Sequence, residues 1–226
     1  MSERNVNRTA QSVQQSIAGP VGRLEAIIDL PAGDKPLAAV IVCHPHPQHG
    51  GTMHNKVVHT LARSFVQMGY VALRFNFRGV EQSEGSYDSG DGELDDALAA
   101  VEWVRATYPE RPVWLAGFSF GAAIAVRAAV ATTVDGLITV APAVSRFASG
   151  LHGQPDCPWL IVQGDEDELV DVDETIDWVN SLDPGPQLMV MAGVEHFFHG
   201  KLVALRATVT EFVEQHRAPE TRFSQA

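Results

Sequence analysis

Four short stretches of the chain carry side chains that could do chemistry. "GFSFG", residues 117–121, sets Ser119 between two glycines. A serine hydroxyl is a poor nucleophile by itself. It attacks a carbonyl only where a base takes its proton and an acid orients that base. Downstream, "QGDEDELV" offers Asp165, Glu166, Asp167 and Glu168, and "GVEHFFHG" offers His196 and His199. The fourth stretch, "CHPHPQHGGTMHN" at 43–55, holds His44, His46, His49 and His54, with His59 close behind. Imidazoles this dense raise a second chemistry, zinc ligation.

The spacing G-x-S-x-G has a steric origin. A serine on a tight strand-to-helix turn takes strained backbone angles, and the residues two before and two after must be small because neighbouring backbone passes close. "VWLAGF" (113–118) reads as the strand and "GAAIAVRAAVA" as the helix. Ala122 and Ala123 keep that helix near the strand, and its N-terminus points amides and the positive dipole end beside Ser119. In this setting the expected chain order is serine, then an acid, then histidine. The two downstream stretches supply that order, each following a strand-like run.

The rest of the chain must position these groups. "VQQSIAGPVGRLEAIIDL" reads as two strands around Gly19-Pro20, a hairpin. "AAVIVCH" (38–44) is an apolar run suited to a strand buried on both faces. A helix over roughly 54–68 ends at Gly69, and "YVALRFNF" (70–77) is the next strand. "ELDDALAAVEWVRATYP" predicts a helix with Leu94, Leu98, Val101 and Val104 on its buried face. "GLITVAP", "PWLIVQG" and "QLMVMAG" are further strands. The helix "VDETIDWVNSL" shows Val172, Ile176 and Val179 on one face. The closing helix, "KLVALRATVTEFVEQH", has Leu202, Val209, Phe212 and Val213 on one stripe. Strand–helix alternation after a hairpin implies an α/β fold, a mostly parallel, doubly wound sheet opened by an antiparallel pair.

The 226 residues are enough for one domain, expected over 11–218, with tails at 1–10 and 219–226. A formal net charge of −12 disfavours nucleic acid and anionic membrane as partners. Cys43 and Cys157 make no disulfide framework. The polar N-terminus lacks the apolar segment of a signal peptide, and no apolar run reaches ~18 residues. A cytoplasmic protein is the expectation.

"HPHPQHGGTMHNKVV", "RFNFRGVEQSEG", "GFSFG", "GDEDELV" and "EHFF" each resemble a block of the α/β-hydrolase superfamily, in the family's order, across about residues 17–216. The chain is most similar to the small, lidless bacterial members. The resemblance implies that Ser119 is the nucleophile. It assigns the acid of G-x-x-D-x-x-V to Asp167 and the histidine after the last strand to His196, leaving His199 as a surface or capping residue. It also implies an oxyanion hole, made by the backbone N–H of Phe120 and, from the family's H-G-x block laid on "HPH", that of His46. Pro45 and Pro47 have no N–H and would stiffen that loop. His44 would anchor it, and Arg78 would tie loops together. One block departs from the pattern D-x-R-G-x-G-x-S: Asn76 replaces Asp and Glu81 replaces the second Gly.

"HPHPQH" also resembles the H-x-H-x-D-H zinc motif of metallo-β-lactamase-type hydrolases, but Gln48 stands where that motif needs Asp, and a neutral amide is a poor zinc ligand. No metal and no cofactor are expected. The resulting expectation is a serine hydrolase acting on small-molecule esters, short acyl groups preferred, because only ~16 residues separate "GLITVAP" from the next strand, too few for a multi-helix lid. Thioesters and amides or peptides are the alternative substrates. A non-catalytic binding protein on the same fold is the alternative of another class. Oligomeric state is not readable from the sequence.

Overall fold

The computed structural model describes residues 10–33, 35–147 and 153–217, so the expected tails lie almost wholly outside the described residues. Five strands bury every residue: β3 (Ala39–Cys43), β4 (Val71–Phe75), β5 (Val113–Phe118), β6 (Gly136–Val140) and β7 (Trp159–Gly164). Side chains alternate across a strand, so a run apolar at every position packs two layers at once. Ile41 and Cys43 enter one layer with α2 (Asp91–Thr107), α3 (Phe120–Ala131) and α5 (Val172–Asn180). Val40 and Val42 enter the other with α1 (Lys56–Gln67) and α6 (Leu202–His216).

The sheet is completed by β1 (Gln11–Gly19), β2 (Gly22–Leu30) and the edge strand β8 (Gln187–Met191), in the order β1-β2-β4-β3-β5-β6-β7-β8. β2 is antiparallel to both β1 and β4, and all other pairs are parallel. This is the hairpin-opened parallel sheet that the alternation predicts. Among the described residues the β6–β7 connection contains only the four-residue helix α4 (Val144–Phe147), and none of the described helices is long and apolar enough to cross a membrane.

Two expectations need correction. α1 begins at Lys56 rather than His54, because the Asn55 side chain caps it, accepting from the N–H groups of Val57 and Val58 at 2.8 and 3.4 Å. The buried face of α2 is also rotated from the predicted one. Ala97, Ala100, Val101 and Val104 are buried together with Glu93 and Asp96, while Leu94 and Leu98 are only partly covered. Both acids are paired. Glu93 accepts from the N–H groups of Gly90 and Asp88 at 2.7 and 2.9 Å. Asp96 takes a fork of bonds from the Arg78 guanidinium at 2.8 to 3.1 Å, plus the Arg78 N–H at 2.9 Å. Gly92 leaves the space that Arg78 fills, since a Cβ there would lie 2.0 Å from Nη1. Arg78 thus fastens the loop after β4 to α2.

The two departures in that loop compensate each other. Buried Asn76 accepts the Met53 N–H at 2.8 Å and donates to Glu25 at 2.9 Å and Glu81 at 2.6 Å. An aspartate at 76 would face two carboxylates with nothing to donate. Glu81 holds a left-handed backbone (φ 50°) that a glycine adopts without strain, and its bond to Asn76 offsets that strain.

Candidate active site

Ser119 stands between β5 and α3 at φ 57°, ψ −117°, conformationally strained for a residue with a Cβ. Its N–H donates to Val140 O at 2.8 Å, and its carbonyl accepts from the Ala122, Ala123 and Ala143 N–H groups, so neighbours on both sides over-determine the turn. The flanking glycines have no alternative. A Cβ on Gly117 would lie 2.3 Å from Gly121 O, and one on Gly121 would lie 2.3 Å from His44 O.

A chain of hydrogen bonds runs from this serine into the sheet. His196 Nε2 is 3.0 Å from Ser119 Oγ, and His196 Nδ1 is 2.8 and 3.0 Å from the two oxygens of Asp167. Both the imidazole and the carboxylate are almost completely buried. Asp167 Oδ1 accepts the N–H groups of Leu169 and Val170 at 2.9 and 2.8 Å, and Oδ2 accepts Gln163 Nε2 at 3.0 Å. Burial acts to raise the Asp167 carboxyl. The bonds from His196 and Val170, the His196 charge and the Leu169 N–H outweigh it and hold the group below its ordinary value.

The neighbouring acids do other work. Asp165 accepts the Gly193 N–H at 2.7 Å, and Glu168 accepts the His196 N–H at 3.2 Å, so both tie the histidine loop to the acid loop. The Glu166 N–H adds a bond to Val194 O. Gly164 must be glycine for these loops to meet, because a Cβ there would lie 2.1 Å from Val194 O. His199 turns outward and pairs with Glu195 at 2.6 Å.

β3 and β5 pair in parallel with Cys43 level with Gly117, which brings His46 alongside Phe120 three residues further on. Their rings are 5.1 Å apart, and neither residue's backbone N–H has an acceptor among the described residues. The His46 ring is held by Tyr87 Oη on Nε2 at 3.2 Å and by the Gln48 N–H on Nδ1 at 3.2 Å, and it packs against Phe147. His44 is fully buried. Its Nδ1–H donates to Pro45 O at 2.6 Å and its Nε2 accepts the Phe77 N–H at 3.0 Å, which joins the loops after β3 and β4.

Of the other histidines in the dense stretch, His49 stacks on His46, His54 lies 3.9 Å from Glu81, and His59 sits on α1. Among the described residues no three His, Cys, Asp or Glu side chains are grouped to hold a metal ion. A cleft of about 320 Å³ opens beside Asp167, walled by Ala143, Arg146, Leu169 and Val170. A second hollow of about 430 Å³, near Trp159 and Trp178, touches none of Ser119, Asp167 and His196. Gln163 and Tyr87 were not singled out in the sequence. A polar residue ending an apolar strand was a signal for Gln163, and nothing marked Tyr87.

The sequence model of a hydrolase family described as "Serine aminopeptidase, S33" matches residues 34–150. The chain belongs to the α/β-hydrolase family. Among solved structures, this family member resembles a Xanthomonas campestris protein described as an α/β serine hydrolase without a lid. The two share 43% identity at a TM-score of 0.87, over 95% of this chain and 100% of that one. An α/β serine hydrolase homologue from Coxiella burnetii shares 46% identity at a TM-score of 0.83, over 88% of this chain and 96% of that one. Esterase EstD of Thermotoga maritima is 28% identical over 127 residues, which are 54% of this family member but 31% of EstD.

Proposed function

We propose that the chain hydrolyses carboxylic esters of short acyl groups through an acyl-enzyme on Ser119. His196 Nε2 takes the hydroxyl proton as Oγ attacks the carbonyl carbon, then delivers it to the leaving alcohol. Asp167 holds Nδ1–H, which fixes the tautomer and stabilises the imidazolium. The N–H groups of His46 and Phe120 receive the developing oxyanion. Water, deprotonated by the same imidazole, then releases the acid and restores Ser119. The chain's own groups and water supply every step, and the reading calls for no cofactor or metal. The observation that carries it is the buried Ser119–His196–Asp167 hydrogen-bond chain beginning at a strained serine.

The match to EstD supports ester chemistry, and the family description, which names an aminopeptidase, favours amides as the second reading. The short β6–β7 connection supports small acyl groups, since an open cleft leaves methylenes in water and forfeits up to ~0.8 kcal/mol for each. The net charge of −12 supports a small-molecule substrate over nucleic acid or an anionic membrane. The deciding experiment compares an ester, a thioester and an anilide of one acyl group, and then p-nitrophenyl esters of rising chain length. Ester turnover that peaks at short chains is expected. Anilide cleavage without ester cleavage, or kcat/KM rising steadily with long chains, would refute the proposal.

A further inference from the structure

Gln163 lies on β7 and is fully buried. The other residues on its strand face, Trp159 and Ile161, enter the apolar layer, so the alternation calls for a hydrophobe at 163. Instead its Nε2 donates to Asp167 Oδ2 at 3.0 Å, Val170 O at 3.1 Å and Gly164 O at 3.3 Å. Its Oε1 is buried and has no partner among the described residues. An unpaired buried carbonyl is a standing penalty on folding that an apolar side chain of the same length would avoid.

We propose that Gln163 is a positioning residue that sets the basicity of His196 through the carboxylate of Asp167. The inference rests on the Ser119–His196–Asp167 reading above. Apart from His196, Gln163 is the one side chain among the described residues that donates to this carboxylate. The other donors, Leu169 and Val170 N–H, are backbone and both go to Oδ1. The bond to Oδ2 fixes the carboxylate rotamer from the strand beneath. It also draws charge from the oxygen nearest Nδ1, so Asp167 stays ionised without over-stabilising the imidazolium. Remove the donor, and Oδ2 becomes more basic and His196 keeps its proton to higher pH.

The charged groups around the pair remain in place in such a variant. Glu168 accepts the His196 N–H, Glu195 is held by His199, and Arg146, Asp171 and Glu174 line the cleft beside Asp167. Phe118 and Phe197 contribute only rings against the imidazole.

The test uses the full chain as wild type, Gln163→Met and Gln163→Glu. The rate of Ser119 labelling by a fluorophosphonate is measured across about pH 5 to 9, where an imidazole base titrates. In Gln163→Met the midpoint of the acid limb should rise by about 0.5 to 1 pH unit, while the plateau rate falls less than about tenfold. In Gln163→Glu the new carboxyl faces three acceptors, and on ionising it sets a second negative charge beside Asp167. Its midpoint should therefore rise further. If the Met variant does not fold, the Glu variant, of nearly the same shape, decides alone. Midpoints within about 0.2 units of wild type in folded variants would overturn the proposal, leaving Gln163 a purely structural residue. Failure of both variants to fold also counts against it. A wild-type protein that is not labelled at any pH would instead sink the serine-hydrolase reading itself.

Discussion

Asp167→Asn should inactivate the protein without unfolding it, and the structure says why. The N–H groups of Leu169 and Val170 both point at Oδ1, so the asparagine must place its carbonyl there. Its NH2 then occupies the Oδ2 position, 2.8 Å from His196 Nδ1 and 3.0 Å from Gln163 Nε2. A donor facing Nδ1 forces the imidazole proton onto Nε2, where it points at Ser119 and cannot accept the hydroxyl proton. The wrong tautomer costs about 10⁴-fold in kcat in a comparable triad, or roughly 5.5 kcal/mol. Turning the Gln163 amide gives the new NH2 an acceptor in Oε1 but gives up the bonds to Val170 O and Gly164 O, a loss of about 1 kcal/mol each that leaves a domain of this size folded. Asp165→Asn is the control. Its carbonyl can still accept the Gly193 N–H, and exchanging a charged acceptor for a neutral one at that bond costs about 1 kcal/mol, less than about tenfold. The assay is kcat/KM on p-nitrophenyl acetate, with circular dichroism to verify folding. An Asp167→Asn protein within tenfold of wild type, or an Asp165→Asn protein that is the inactive one, would refute the reasoning.

Activity on the same ester should survive EDTA, and His46→Pro, which removes the N–H, should lose about 10²–10³-fold while His46→Ala loses much less; equal losses would contradict a backbone role. Burial, opposed by the bond to Pro45 and aided by His46, pushes the His44 imidazole down to about 4. The unfolded chain takes up that proton near pH 6.5, so the His44 contribution to stability is full above about pH 6.5 and is lost as pH falls toward about 4, by at most ~1.4 kcal/mol per pH unit. Urea titrations should show that slope in wild type and a shallower one in His44→Ala. Asn76→Asp should destabilise the protein by crowding Glu25 and Glu81, and adding Glu81→Gly should recover part of the loss; denaturation of the four proteins should give a coupling of about 1–3 kcal/mol.

The Ser119 turn was legible because its constraint is local. The collision that a Cβ would make at Gly117 with Gly121 O follows from five consecutive residues and the two elements they join, whereas the one at Gly121 is with His44 O, at the end of the neighbouring strand β3. The strand order of types was legible because runs such as 39–43 are apolar at every position. The choice of Asp167 among four successive acids was not readable from residue types, and only the family pattern selected it. In space the acids separate by direction: Asp165 faces Gly193, Glu168 faces the His196 backbone and Asp167 faces the imidazole. Similarly, Glu195 draws His199 away from the serine, a contact within one loop that no periodicity reports. The buried face of α2 was misread because periodicity counts only apolar residues. Asp96 goes inside for the sake of Arg78, eighteen residues earlier, and Glu93 goes inside to satisfy loop N–H groups. Gln163 escaped for the same reason, since its two shorter bonds, to Asp167 and Val170, go to the loop that follows its strand.

The most direct test of the account is labelling with a fluorophosphonate probe, read by peptide mass spectrometry alongside ester turnover in Ser119→Ala. The account predicts one modified residue, Ser119, complete loss of turnover on labelling, and a folded Ser119→Ala protein about 10⁶-fold less active than wild type. Near-normal turnover in a folded Ser119→Ala protein, or activity lost in chelator and restored by zinc, would contradict it and return the chemistry to the histidines of residues 43–55.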